Sequence, residues 1–172
     1  PDNFDALPRA PPAIANFTVL GGGNGDSGIL HKDGSGGRIF NTIVDGVPTA
    51  CIEWADAPAT YDAAGTPENP NTDVASFDGV IINCATDFLD DAGAPYAVGD
   101  FFNSSSFSNN DDTDPMLDVY MPMSNSSALT DSVNVTELTG NEYFRATSYR
   151  GGFDGRNDWT VPWTHQVTGG DN

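Results

Sequence analysis

"GRIFNTIVDG", residues 37–46, is a short apolar burst closed by a turn, and the chain repeats it. Upstream, "AIANFTVLG" (13–21) can be written beneath it so that Ile14 falls on Ile39 and Asn16 on Asn41. Downstream, "SFDGVIINCA" (76–85) follows the same pattern with Phe77 set on Phe40 and Asp78 on Asn41. Second bursts, "SGILHKDG" (27–34) and "ACIEWAD" (50–56), lie between them, with Ile29 preceding Ile52 by 23 residues. Short β-branched runs bounded by glycine and polar turns read as strands, and helical spacing is nearly absent. Two bursts recurring every ~25 residues describe a chain that winds and stacks on itself. The expected fold is therefore all-β, a right-handed parallel β-helix of few coils, with Asn16, Asn41 and Asp78 in one column. A β-sandwich would also give short strands, but not this two-strand repeat.

The interval from Asn41 to Asp78 is longer than one repeat. Its excess is assigned to "PATYDAAGTPENPNTD" (58–73), a Pro/Asn/Asp segment read as an inserted surface loop. From Asp87 the pattern decays into "DFLDDAGAPYAVGDFFNSSSFSNNDDTDP", a polar excursion with a short helix expected around 96–104. "MLDVYMP" (116–122) reads as one more strand, and "SNSSALTDSVNVTEL" as mostly loop. The organisation expected is one domain: coils over 1–86, the excursion and strand over 87–140, and an aromatic ending with a loose tail over 141–172.

Six Lys+Arg against 25 Asp+Glu give the 172-residue chain a net charge of −19, with Lys32 its only lysine. Such a surface repels nucleic acid and anionic membranes, and cations are its natural counter-species. No run of about 20 apolar residues is present, so membrane insertion is not expected, and no signal peptide is seen. Beginning at Pro1, the chain reads as a processed or excised piece of a longer precursor. Cys51 and Cys84 close two apolar strands on neighbouring coils and are expected to form a disulfide in an oxidising, extracellular setting; two buried free thiols are the alternative. Sequons at Asn16, Asn103, Asn125 and Asn134 carry little weight in a chain so rich in Asn, Ser and Thr.

The best metal candidate is "NNDDTDP", where Asn110, Asp112 and Asp114 alternate like the first half of a calcium loop. Pro115 stands where an EF-hand needs glycine, so the expectation is a simple surface Ca²⁺ site, with solvated turn carboxylates as the plain alternative. Asp90 and Asp91 form a vaguer acidic turn. Polysaccharide lyase chemistry needs a base and cations to neutralise a sugar carboxylate. His31 and Lys32 are adjacent and point to opposite faces of a strand, and only Arg38 could join one of them. No pair of aspartates is singled out for glycoside hydrolysis. His165 lacks partners for a zinc site, and the glycine runs "GGGNGDSG" and "DGSGG" lack the lysine of a phosphate loop. No catalytic or cofactor-binding residue is assigned.

Residues 1–46, "SFDGVIINCATDF", "DDTDPML" and the ending "YFRATSYRGGFDGRNDWTVPWT" together resemble, in the same order, the C-terminal part of a family of large bacterial surface proteins. The resemblance implies a secreted or cell-surface right-handed parallel β-helix and no particular reaction. Members normally carry further coils ahead of the position matching Pro1. A β-helix ends in an open apolar cross-section that must be covered. Tyr143, Tyr149, Phe153, Trp159 and Trp163 are expected to cap one end, and a sugar-stacking platform is the competing use. The other end, next to Pro1, is expected to meet upstream coils or a second copy stacked into a filament. The function expected is structural display at the cell surface, with a glycan-binding or glycan-processing role as alternative.

Overall fold

The computed structural model describes residues 11–161. The chain is mostly short strands, and their pairing is predominantly parallel. A first pass lays down β1 (Ala13–Ala15), β2 (Thr18–Leu20) and β3 (Ile29–His31); a second lays down β4 (Gly37–Phe40), β5 (Ile43–Asp45) and β6 (Ile52–Trp54). Helix α1 (Ala59–Ala64) and a hairpin of β7 (Gly65–Thr66) and β8 (Asn69–Pro70) intervene. The third pass is β9 (Ala75–Asp78), β10 (Ile81–Asn83) and β11 (Phe88–Leu89). Three separate parallel sheets result, ordered β1-β4-β9, β2-β5-β10 and β3-β6-β11. Each strand thus pairs with the strand one pass on. Beyond them lie α2 (Val98–Phe102), an antiparallel hairpin of β12 (Leu117–Asp118) and β13 (Met121–Pro122), and α3 (Val135–Thr139).

The register follows the repeat in the first two passes and departs from it in the third. Ile14 pairs with Ile39 and Ile29 with Ile52, as the aligned bursts require. In the third pass Phe77 lies opposite Ile39 and Asp78 opposite Phe40, so Asp78 does not join the column of Asn16 and Asn41. The residue one step further is Gly79. The physical reason is the bend between the first two strands of each pass: Asn16, Asn41 and Gly79 have φ of 60°, 44° and 68°. Asparagine and glycine are the residues that enter this left-handed region at least cost. At Gly79 there is a second constraint, since a Cβ there would lie 2.5 Å from Asn41 Oδ1.

Side chains alternate across each strand. Val19, Val44 and Ile82 face a core shared with Ile14, Ile39, Phe77, Ile29, Ile52 and Trp54. Ile43 and Ile81 face the other way and form a small second core with Ala128 and Leu117. Cys51 and Cys84 are joined by a disulfide with S–S 2.01 Å.

Several segments differ from their sequence reading. The insertion 58–73 is no solvated loop, because Thr60, Tyr61, Ala63 and Ala64 are buried. Tyr61 meets Trp54 edge-on at 5.2 Å, which makes α1 a wall of the core. The stretch 116–122 is a two-stranded hairpin rather than one strand. Residues 124–138, read as mostly loop, contain a 3₁₀ turn, Ser127–Leu129, and most of α3.

Covering of the third-pass end falls to α2 and the segment after it. Phe101 packs on Trp54 at 4.8 Å, Phe102 on Phe77 and Phe88 at 5.6 and 5.3 Å, and Phe107 on Phe101 at 5.3 Å. The backbone of 108–111 then lines the strand edge, with Gly79 N–H donating to Ser108 O and Ile82 N–H to Asp111 O. The described part of the aromatic ending, up to residue 161, runs along a different surface from the one α2 covers. Gly151 N–H donates to Asn41 O and Gly152 N–H to Thr18 Oγ1, so this segment lies along the outer side of the first two passes. Phe153 stacks between Tyr120 and Trp159, Tyr149 is half-buried, and Tyr143 and Trp159 are 85% and 63% exposed. Trp163 and His165 lie outside the described residues.

Candidate functional site: the free edge of the first pass

Among the described residues, strands β1, β2 and β3 are edge strands, each with a partner on one side only. In a parallel strand, alternate residues bond to opposite neighbours. Pro12 O accepts from Arg38 N–H and Asn16 N–H donates to Phe40 O, so the even-numbered residues of β1 serve β4. The N–H and C=O of Ala13 and Ala15 therefore point away from the sheet. By the same parity Leu30 is left over in β3, because Ile29 N–H and His31 O bond to Cys51 O and Ala55 N–H.

Two grooves flank this edge. Toward the core, a cavity of about 320 Å³ is lined by Ile14, Val19, Ile29, Ile39 and His31, with Phe17 at its rim. On the other face, a groove of about 780 Å³ is lined by Ala13, Ala15, Phe17, Tyr143, Arg145 and Tyr149. Ile14 and Phe17 belong to both linings. The alanines matter: their small side chains leave the space that the tyrosines wall off. Phe17, Leu20 and Leu30 are 54%, 42% and 42% exposed. Among the described residues, an apolar cross-section and open strand edges thus occur together at this end, whereas 108–111 line the edge at the other.

His31 is the one imidazole of the described residues. Its ring stacks on Trp54 and Phe77 at 5.6 and 5.9 Å, and its Nδ1 is buried without a hydrogen-bond partner. Burial alone pushes its pKa down to about 4. This neutral, inward-facing ring packs as part of the core beside the cavity. Lys32, on the opposite face, pairs with its neighbour Asp33 at 3.7 Å. Arg38 lies over the Phe40 ring at 5.5 Å and donates to Leu138 O. The three residues weighed for lyase chemistry thus each have different surroundings: His31 packs on Trp54 and Phe77, Lys32 pairs with Asp33, and Arg38 lies over Phe40.

The acidic turns are used structurally. Asn110 Oδ1 accepts from Val80 N–H, and its Nδ2 donates to Phe77 O and Phe102 O, so its amide seals a strand edge. Asp114 accepts from Met116 N–H, and Asp112 is exposed. Asp91 accepts from Asp56 N–H and Asp90 from Val98 N–H at the start of α2. Among the described residues no three His, Cys, Asp or Glu side chains are grouped to hold a metal ion. Asn16 donates to Thr147 and Asn134 caps α3 by accepting from Glu137 N–H, whereas Asn103 and Asn125 are exposed. A further open cleft of about 740 Å³ is bounded by Tyr61, Tyr96, Asp62, Glu68, Asp100 and Asn103.

Reading by sequence missed two things here. The Arg145 groove was hidden because its walls come from residues 13–17 and 141–149, over a hundred positions apart. Arg150, wholly buried, was passed over because arginine is ordinarily a surface residue. It donates to Asn109 O, Ser127 O and Asp111 Oδ2, and the carboxylate contact is 2.6 Å. No helix of the described residues is long and apolar enough to cross a membrane. Compared with family models, curated proteins and solved structures, the chain matches none.

Proposed function

We propose that this chain is a non-enzymatic structural segment of an extracellular or cell-surface protein, built as a right-handed parallel β-helix. Its working surface is the first-coil end, which is completed by further coils of a longer precursor. The observation that supports this reading is the contrast between the two ends. One presents the free edges of β1, β2 and β3 around an apolar cavity, and the other is covered by Phe101, Phe102 and Phe107. Exposed strand edges over apolar surface find a complement or aggregate. The covered end also weighs against a head-to-tail filament, which needs two open ends. Among copies of this chain alone, that leaves pairing through the same first-coil end. The disulfide agrees with an oxidising compartment.

The test is the state of the isolated chain against a version extended upstream. The isolated chain is expected to associate in a concentration-dependent way, by light scattering after size exclusion, and the extended one to be monomeric. A monomer at millimolar concentration with freely exchanging Ala13, Ala15 and Leu30 amides would overturn the reading. A second reading, glycan binding, is favoured by the tyrosine-and-carboxylate cleft beside α1. An oligosaccharide array with no binder that is sensitive to Tyr96→Ala rejects it.

A further inference from the structure

We infer that β1 is a docking edge for an extended polypeptide strand of stated chemistry: aliphatic on the face toward the core and acidic on the face toward Arg145. This rests on the first-coil end being an assembly surface, and it names what that surface selects. Strand addition draws affinity from main-chain hydrogen bonds and specificity from pockets that receive alternate side chains. All three requirements meet at β1. The N–H and C=O of Ala13 and Ala15 face away from β4, by the parity of the bonds at Pro12 and Asn16. The inner cavity, with Ile14, Val19, Ile29 and Ile39, has the volume and lining for one branched aliphatic side chain. The outer groove offers one cation, Arg145, between aromatic walls.

The charge is what selects the partner. The described arginines other than Arg145 are held or flanked: Arg38 by Phe40 and Leu138 O, Arg150 by Asp111, and Arg156 by the turn that Asp154 closes. Arg145 is exposed, and among the described residues it has no ion pair or hydrogen bond. In a chain of net charge −19, Arg145 places a guanidinium with no described carboxylate partner beside this strand edge. At physiological salt the surrounding charge is screened beyond about 8 Å, so a carboxylate docked at β1 senses Arg145 before the rest. Guanidinium and carboxylate also fit in a forked pair that an ammonium would not reproduce.

The test uses two synthetic nonapeptides centred on Asp-Val-Asp-Ile-Asp and Lys-Val-Lys-Ile-Lys, titrated into the 172-residue chain at 0.15 M salt. The aspartate peptide is expected to bind more tightly by on the order of tenfold, against the sign of the net charge. Arg145→Glu should reverse that preference. Ala15→Pro removes a free edge N–H while leaving the β1–β4 bonds intact, a substitution that edge strands accept, and should abolish binding. Circular dichroism checks that both variants fold; should Ala15→Pro fail to, protection of the Ala13 and Ala15 amides by the peptide replaces it. Equal or inverted peptide affinities in the unmodified chain, or a preference unmoved by Arg145→Glu, would overturn the inference. So would no binding at all. Self-association that persists while the aspartate peptide fails to compete sinks the docking chemistry and leaves the assembly reading standing. Peptide binding by a strictly monomeric chain does the reverse.

Discussion

Asn41 and Asp78 show how far a single side chain reports its backbone. Asn41, placed in the sequence only as a member of the repeating column, is a bend because asparagine tolerates the left-handed region, and its amide also pairs with Val133 through both N–H and C=O. Asp78 looked equivalent, yet the bend is made by Gly79, and Asp78 is a buried strand residue instead. One residue of register separates the two assignments, and a glycine leaves no side chain by which to see it. The misassigned aspartate has a consequence for pH. Burial raises its pKa to about 6, against the opposing effects of Ser108 N–H and Arg38. The folded state then holds a proton that the unfolded chain releases near 4, so this carboxylate lowers stability as pH rises from about 4 to 6. His31, depressed to about 4, acts oppositely, because the unfolded chain takes up a proton below about 6.5 and the folded one does not. The two slopes oppose each other over the same window. Asp78→Asn, which keeps the acceptor for Ser108, should therefore expose a stability that climbs between pH 4 and 6, with a gain of roughly 2 kcal/mol at pH 7. His31→Phe should expose the falling slope. Urea titrations at pH 4, 5, 6 and 7 check both, and unchanged slopes in the variants would refute the assignment.

The strands of the second pass were legible as the apolar bursts 37–46 and 50–56. The first burst, however, is two strands, β4 and β5, bent apart at Asn41, so each pass has three strands rather than two. The covering elements were not legible. Helix α1 begins in "PATYDAAG", whose proline and aspartate read as loop, and only burial of Tyr61 against Trp54 shows it as core. Helix α2 was expected near its place, but its role as a lid depends on which sheet end it meets, and no local pattern encodes that. The described part of the aromatic ending shows the same: its composition fits a lid, and the partners of Gly151, Gly152 and Phe153 place it along the first two passes. Arg150 is the anchor of this outer layer. Its guanidinium bridges Asn109, Asp111 and Ser127 while its own N–H bonds Ala128 O, next to the small core of Ile43 and Ile81. Lysine carries the charge but cannot span three acceptors in a plane. Arg150→Lys is expected to cost about 3 kcal/mol, read as a lower urea midpoint, and a loss within about 0.5 kcal/mol would show the anchor to be dispensable. The disulfide ties the second pass to the third across 33 positions. Replacing Cys51 and Cys84 by alanine together should cost about 3–4 kcal/mol on the chain-entropy account. The same double variant should leave the peptide affinity at β1 unchanged, since that edge belongs to the first pass.

The net charge of −19 governs what the assembled molecule tolerates. A domain of this size has a folding stability of only ~5–15 kcal/mol, so like-charge repulsion over the whole surface is a significant fraction of it. Much of the acid is distributed at the turns between strands, where Asp56 and Asp91 accept from backbone N–H groups of the neighbouring turn. These carboxylates are thus fixed in place by local bonding and cannot move apart to relieve repulsion. The parallel stacking that builds the sheets also brings successive acidic turns close, with Asp33, Asp56 and Asp91 following one another along the stack. Screening is the available relief. Raising NaCl from 10 mM to 0.2 M, which shortens the Debye length from about 30 to 7 Å, should raise Tm by on the order of 5 °C. Calcium then separates a bound ion from a diffuse one. Because Asn110 is committed to Val80, Phe77 and Phe102, the turn of Asp112 and Asp114 holds two exposed carboxylates without that third oxygen. At matched ionic strength, millimolar Ca²⁺ should therefore add little beyond sodium, and what it adds should persist in Asp112→Asn/Asp114→Asn. A calcium increment of several degrees that vanishes in this double variant would establish the turn as a metal site and remove diffuse screening as the explanation.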